Sequence, residues 1–159
     1  MHWTLREARV EDVDAVAEVW HEAWHAGHGA HVPRRLLPYR TRAQFATRLP
    51  ALLASTTVAV VDDAVMGFVR TDEDELELLF VAAGARGTGI ARALLRHDEL
   101  AIAQRFAAAW LQVTNENARA RRFYEREGWH DVAALPYEAE TPDGRIPIAS
   151  RRYERSLLR

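Results

Sequence analysis

Residues 21 to 25, His21-Glu22-Ala23-Trp24-His25, spell H-E-x-x-H. Histidines four apart share one face of a helix and can ligate zinc together, with the glutamate between them as a base. His31, six residues after His25, would complete a third ligand. The longer protease signature needs glycine where His28 stands, and it needs a later methionine turn. The methionines are Met1 and Met66, and Met66 falls within a strand pattern. Only 20 residues precede the motif, too few for a protease's upstream sheet. A metallohydrolase is therefore disfavoured, and no metal is expected.

A second stretch carries different chemistry. In Leu78–Leu95, an apolar strand pattern runs into Gly84, Gly87 and Gly89 and then directly into a helical pattern. Glycines let the backbone take positive φ and approach a ligand closely. The first turn of the helix offers N–H groups with no internal partner at the positive end of the dipole. Such a loop suits phosphate oxygens. A Rossmann fingerprint would need a small residue where Arg92 stands. A Walker A loop needs a lysine, and so does Schiff-base chemistry. All 21 basic side chains are arginine, so neither is possible. Cysteine is absent too, which excludes disulfides and thiolate nucleophiles.

The elements that would position these residues follow from periodicity. Trp3–Ala8 alternates as a first strand, and apolar residues at helical spacing mark a helix from about Glu11 to His25, stopped by Gly27 and Gly29. Thr41 opens a second helix toward Leu53, with a bend at Pro50. Thr57–Val61, Ala64–Arg70 and Leu76–Val81 are short strands joined by acidic turns, which predicts consecutive antiparallel pairing. A long helix spans Gly89–Phe106, a strand Ala109–Thr114 and a short helix Ala118–Glu127. Residues 129–140 and 146–157 flank Thr141-Pro142-Asp143-Gly144 as a C-terminal hairpin. The chain is an α+β (mixed α/β) protein, expected to be one domain over residues 1–159. The net charge of −2 gives no general pull toward nucleic acid, and no apolar run approaches the ~20 residues of a membrane helix. The N-terminus lacks the apolar stretch of a secretory signal, and a cytoplasmic location is expected.

Arg86-Gly87-Thr88-Gly89-Ile90-Ala91 resembles R/Q-x-x-G-x-G/A, the pyrophosphate loop of the GNAT superfamily of N-acetyltransferases. Asn117–Trp129 is similar to that family's N-x-x-A-x-x-F-Y-E-x-x-G-F signature, with Trp129 in place of phenylalanine. The resemblance implies a GNAT fold: about seven mostly antiparallel strands, splayed between strands 4 and 5, with about four helices. It implies acetyl coenzyme A as co-substrate and a primary amine of a small molecule or peptide as acceptor, attacked directly in a ternary complex. By this resemblance the backbone of Arg86, Gly87, Thr88, Gly89, Ile90 and Ala91 holds the pyrophosphate. Leu79, Phe80 and Val81 pair with the pantetheine arm, and a β-bulge near Val81 frees an N–H for the thioester carbonyl. Asn117 contacts the coenzyme, and Tyr124 returns a proton to the departing thiolate.

Glu75, six residues before Val81, stands where several members carry a base. Glu77 is placed on the same face by the period of two, and His25 and His28 are alternatives. Trp24, His25, His28 and Tyr39 are expected to line the acceptor pocket. A homodimer is compatible with the family. Transfer of another acyl group, and a coenzyme-binding sensor without turnover, remain the alternative functions.

Overall fold

A computed structural model describes residues 1–158. The elements run β1 (Thr4–Glu7), α1 (Val13–His28), α2 (Arg42–Arg48), β2 (Thr56–Val61), β3 (Ala64–Asp72), β4 (Glu75–Val81), α3 (Ile90–Ala103), β5 (Ala108–Thr114), α4 (Ala118–Arg126), β6 (His130–Ala134), β7 (Tyr137–Thr141), β8 (Gly144–Ile148) and β9 (Ser150–Ser156), with short 3₁₀ turns between some of them. Seven strands form one sheet in the order β1-β2-β3-β4-β5-β9-β6, and β7-β8 forms a separate two-stranded ribbon. Every pairing is antiparallel except β4–β5. The mixed sheet with a parallel step at strands 4 and 5 is the expected architecture. No helix among the described residues is long and apolar enough to cross a membrane.

Each face of the sheet buries its own core. α1 and α2 cover one face, where Trp20, Leu36, Phe45 and Phe68 are almost fully enclosed. α3 and α4 cover the other over Leu94, Leu95, Leu111, Trp129 and Tyr153. α1 runs three residues past the sequence-based end, because Gly27 is tolerated inside it and faces the side chain of Asn117. Thr41 caps α2 by accepting from the Gln44 N–H at 3.2 Å, and Gln44 reciprocates at 3.1 Å. Pro50 ends regular α-helix there, and the chain continues as a 3₁₀ turn over Leu49–Ser55.

Two expectations need correction. The C-terminal hairpin is not continuous. Pro136 has no N–H to donate and restricts Leu135 before it, so the strand breaks between β6 and β7. β6 then pairs with β9 in the main sheet, while the β7–β8 ribbon leaves it, meets residues 34–40 and adds Ala139, Ile146 and Ile148 to the core on the α1 face.

The bulge is also displaced. Val81 pairs regularly with Gly67, whereas the register jumps between Arg70↔Leu78 and Thr71↔Leu76. Glu77 is thus the extra residue of β4, four positions before the expected place. The slip inverts the alternation: Leu76 packs into the α3 core, and Leu78 packs into the α1 core. The period-of-two argument linking Glu75 to Glu77 therefore does not cross this point.

β3 and β4 approach so closely at Gly67 that an added Cβ would lie 3.0 Å from Val81 Cγ1 and 3.1 Å from Leu94 Cδ1. Gly67→Ala is expected to destabilise the fold by about 1–3 kcal/mol through overpacking, read from the midpoint of urea unfolding.

Candidate active site

β4 and β5 are bridged at one pair, Glu75↔Trp110. Asp74 clamps that junction: its carbonyl accepts from the Trp110 N–H at 3.1 Å, and its Oδ1 accepts from the indole Nε1 at 3.1 Å. Beyond it the strands part, and a cleft of about 950 Å³ opens between them. The Ala82 N–H donates to Met66 on β3 at 2.8 Å, so it points away from the gap. Main-chain groups alternate along a strand, so the N–H and C=O of Leu79 and Val81 face the gap, where β5 provides no ladder partner. Phe80 points its main chain to β3, with its carbonyl oxygen 3.2 Å from where a Gly67 Cβ would stand.

β4 leads through Ala83–Ala85 into the glycine loop. Gly87 has φ +74° and Gly89 φ +94°, both in the left-handed region that glycine enters without strain. The Arg86 and Thr88 N–H groups are used in turn bonds to Ala83 and Ala85, each at 3.3 Å. The Thr88 hydroxyl accepts weakly from the Ile90 N–H at 3.4 Å, and the first main-chain bond of α3 runs from Ala93 to Gly89 at 3.0 Å. The N–H groups of Gly87, Gly89, Ala91 and Arg92 are therefore left without acceptors among the described residues. Ile90 itself is core. The Arg92 amide escaped the sequence motif, although the first turn of any helix leaves such donors free.

α4 forms the opposite lip. Asn117 caps it, its Oδ1 accepting from the Ala120 N–H at 3.2 Å, and its amide nitrogen lies against Gly27 of α1. Tyr124 is buried between Phe123 and Trp129, at ring distances of 5.2 and 6.0 Å. It lines the cleft, and its hydroxyl has no partner among the described residues. Burial pushes the phenol well above its ordinary value, so it keeps its proton. Arg86, Arg119, Arg122 and Arg126 also line this half, and none forms an ion pair among the described residues. Burial and the neighbouring Arg86 lower the pKa of Arg119.

The other half of the cleft lies between β4, α1 and α2. Glu75 is half-buried there, and desolvation, then nearby Asp72, raises its pKa above the ordinary carboxylate value. Glu77 sits in the same lining but is held by Arg70, which also donates to Ser55 Oγ at 2.9 Å. Trp24 and His28 line the cleft, stacked at 5.5 Å. His28 Nδ1 is buried with no hydrogen-bond partner of sound geometry. Desolvation lowers the pKa of the ring, offset in part by the Trp24 carbonyl nearby, so it is neutral at pH 7.

His25 and Tyr39 are not in the lining. His25 Nε2 lies 2.7 Å from the Arg40 carbonyl and ties α1 to the segment before α2. The Tyr39 hydroxyl donates to Asp143 in the β7–β8 turn. His21 meets His25 edge-on at 4.6 Å. Sequence reasoning missed Arg40, Arg48 and Tyr137, which all line this half. Only the docking of α2 and of the β7–β8 ribbon brings them there.

The fold recurs in solved structures. Apo-form YjaB from Escherichia coli aligns with TM-score 0.73 at 21% identity, over 96% of this chain and 98% of that one. The PaiA N-acetyltransferase of Thermoplasma acidophilum, solved with coenzyme A, aligns with TM-score 0.71 at 17% identity, over 98% and 99%. The family model for the acetyltransferase (GNAT) domain matches residues 53–131. The peptidyl-lysine N-acetyltransferase YiaC of Escherichia coli strain K12 is 31% identical over 132 residues, 80% of this chain and 84% of that protein. The chain is an acyltransferase and belongs to the GNAT family.

The depressed pKa of His28 has a thermodynamic consequence. Above the unfolded value of about 6.5 the ring is neutral in both states. As pH falls through that value toward the depressed folded one, the unfolded chain binds a proton that the fold resists, and stability is lost. The melting temperature is expected to fall between pH 7.5 and 5.5, and His28→Phe is expected to flatten that slope in a calorimetric pH series.

Proposed function

We propose that the chain transfers acetyl from acetyl coenzyme A to a primary amine of a small molecule or peptide by direct attack in a ternary complex. One observation carries this reading. The unpaired edge of Leu79 and Val81, the free amides of Gly87, Gly89, Ala91 and Arg92 and the unpartnered Tyr124 hydroxyl belong to residues that line a single cleft. An extended pantetheine arm can pair with the strand edge as a peptide adds to a sheet. The glycine nest and α3 dipole suit the diphosphate, and four unpaired arginines line the same cleft. The Asn117 amide nitrogen is free to donate to the coenzyme.

Bound acetyl coenzyme A supplies a thioester that a neutral amine attacks, releasing a thiolate. The Val81 N–H is available to negative charge on the carbonyl oxygen. Tyr124, held protonated, donates to the sulfur as it leaves. Glu75 takes the amine proton, directly or through water, because partial burial has made it a stronger base than a solvated carboxylate. Glu77 positions Arg70 and is a poorer base, since its charge is committed to that ion pair. His28 is a neutral imidazole in the same half and can relay a proton.

Calorimetry should detect acetyl coenzyme A binding to the wild-type chain. Thiol release with a panel of amines should fall about 100-fold or more in kcat for Tyr124→Phe, with coenzyme affinity retained. Undiminished turnover by that variant would remove Tyr124 from the mechanism, and binding without turnover of any amine would favour a sensor. Glu75 must be ionised to act. The rate should therefore drop as pH falls through its raised pKa, and Glu75→Gln should lose that limb of the profile.

A further inference from the structure

The acceptor half of the cleft is lined by two guanidinium groups, Arg40 and Arg48. Arg70 stands behind the lining, bound by Glu77 and by Ser55 Oγ. Arg40 donates to the Tyr39 carbonyl at 2.9 Å and to the Glu140 carbonyl at 3.4 and 3.5 Å. Arg48, on the last turn of α2, makes no hydrogen bond or ion pair among the described residues. Its guanidinium lies 4.7 Å above the ring of Trp20. Trp20 is almost fully buried and stacks on Phe45 at 4.5 Å, so the platform beneath the guanidinium is rigid. Arg48 is exposed, yet enough protein surrounds its guanidinium to lower its pKa by desolvation, and Arg40 and Arg70 add to the positive potential there. An oriented planar fork with five unsatisfied donors is the geometry that takes a carboxylate in bidentate fashion. Glu75 and Asp72 give the same half a region of opposite sign, suited to an amine.

We propose that Arg48 is the carboxylate-binding group of the acceptor site, and that the acceptor is a small amine bearing a carboxylate, of the amino-acid type. This rests on the acetyltransferase reading above and narrows it. Arg40 and Arg48 disfavour polyamines, whose additional ammonium groups would meet them. Arg48 acts on affinity and orientation, while the chemistry stays with Glu75 and Tyr124.

The test compares the twenty amino acids with their decarboxylated amines as acceptors, by thiol release from acetyl coenzyme A. At least one amino acid should exceed its decarboxylated partner in kcat/KM by about tenfold to hundredfold, the value of a charge-assisted hydrogen-bond pair. Arg48→Gln should erase that preference, chiefly through KM, and Arg48→Lys should restore part of it. Calorimetric binding of acetyl coenzyme A should be unchanged in both variants, which also reports that they are folded. The proposal is overturned if no amino acid is acetylated, if the decarboxylated amines are preferred, or if Arg48→Gln keeps the discrimination. Those results leave coenzyme binding and turnover of other amines intact. Loss of coenzyme binding by the wild-type chain would instead overturn the acetyltransferase reading itself.

Discussion

Two parallel strands that meet at a single pair and then diverge leave main-chain amides without partners in the middle of a sheet. Such groups are costly when enclosed, and folded chains satisfy nearly all of them. Here the divergence is anchored by Asp74, which holds the Trp110 amide and indole together, so the strands stay joined at one end. The unpaired edge of Leu79 and Val81 opens into solvent and leads to the free amides at the start of α3. The cleft, its polarity and the direction of any extended ligand follow from that one unzipped junction.

A second constraint fixes the nest relative to α4. The Glu127 side chain is almost wholly buried and accepts from Arg92 Nε at 2.9 Å and from Arg96 Nη2 at 2.8 Å. Arg96 also bonds Glu99, which accepts from the Trp129 indole at 2.8 Å. Arg92 stands in the first turn of α3, and Glu127 directly follows the helix that carries Tyr124. Buried charges persist only when paired and hydrogen-bonded, so this network admits one relative placement of the two helices. Loop and hydroxyl are thereby held on facing lips of the gap.

The cleft divides by charge. Around the loop, arginines outnumber the one lining carboxylate, Glu127, and the helix dipole adds to the positive field. Between β4 and α2 the lining carries both carboxylates and guanidinium groups, and the bulge at Glu77 sets how the β4 carboxylates are placed. By inverting the alternation it places Leu76 in the α3 core and Leu78 in the α1 core. It also brings Glu77 to Arg70, which leaves Glu75 as the carboxylate free of a hydrogen-bonded cation.

Local pattern alone determined much of this. Helical and strand periods marked α1 to α4 and β1 to β5 within a few residues, because each element buries a continuous apolar face. Gly87 and Gly89 were legible because backbone freedom is a local property, whereas Asn117 and Tyr124 were legible only through the resemblance of residues 117–129 to a family signature. The long-range facts were not legible. The bulge at Glu77 depends on how β3 registers against β4. The departure of the β7–β8 ribbon depends on a core that accepts Ala139 and Ile146. The exclusion of His25 and Tyr39 from the cleft, and the arrival of Arg48, depend on how α2 docks against α1. Spacing along a chain reports which face of an element a residue occupies, but only packing decides what that face meets.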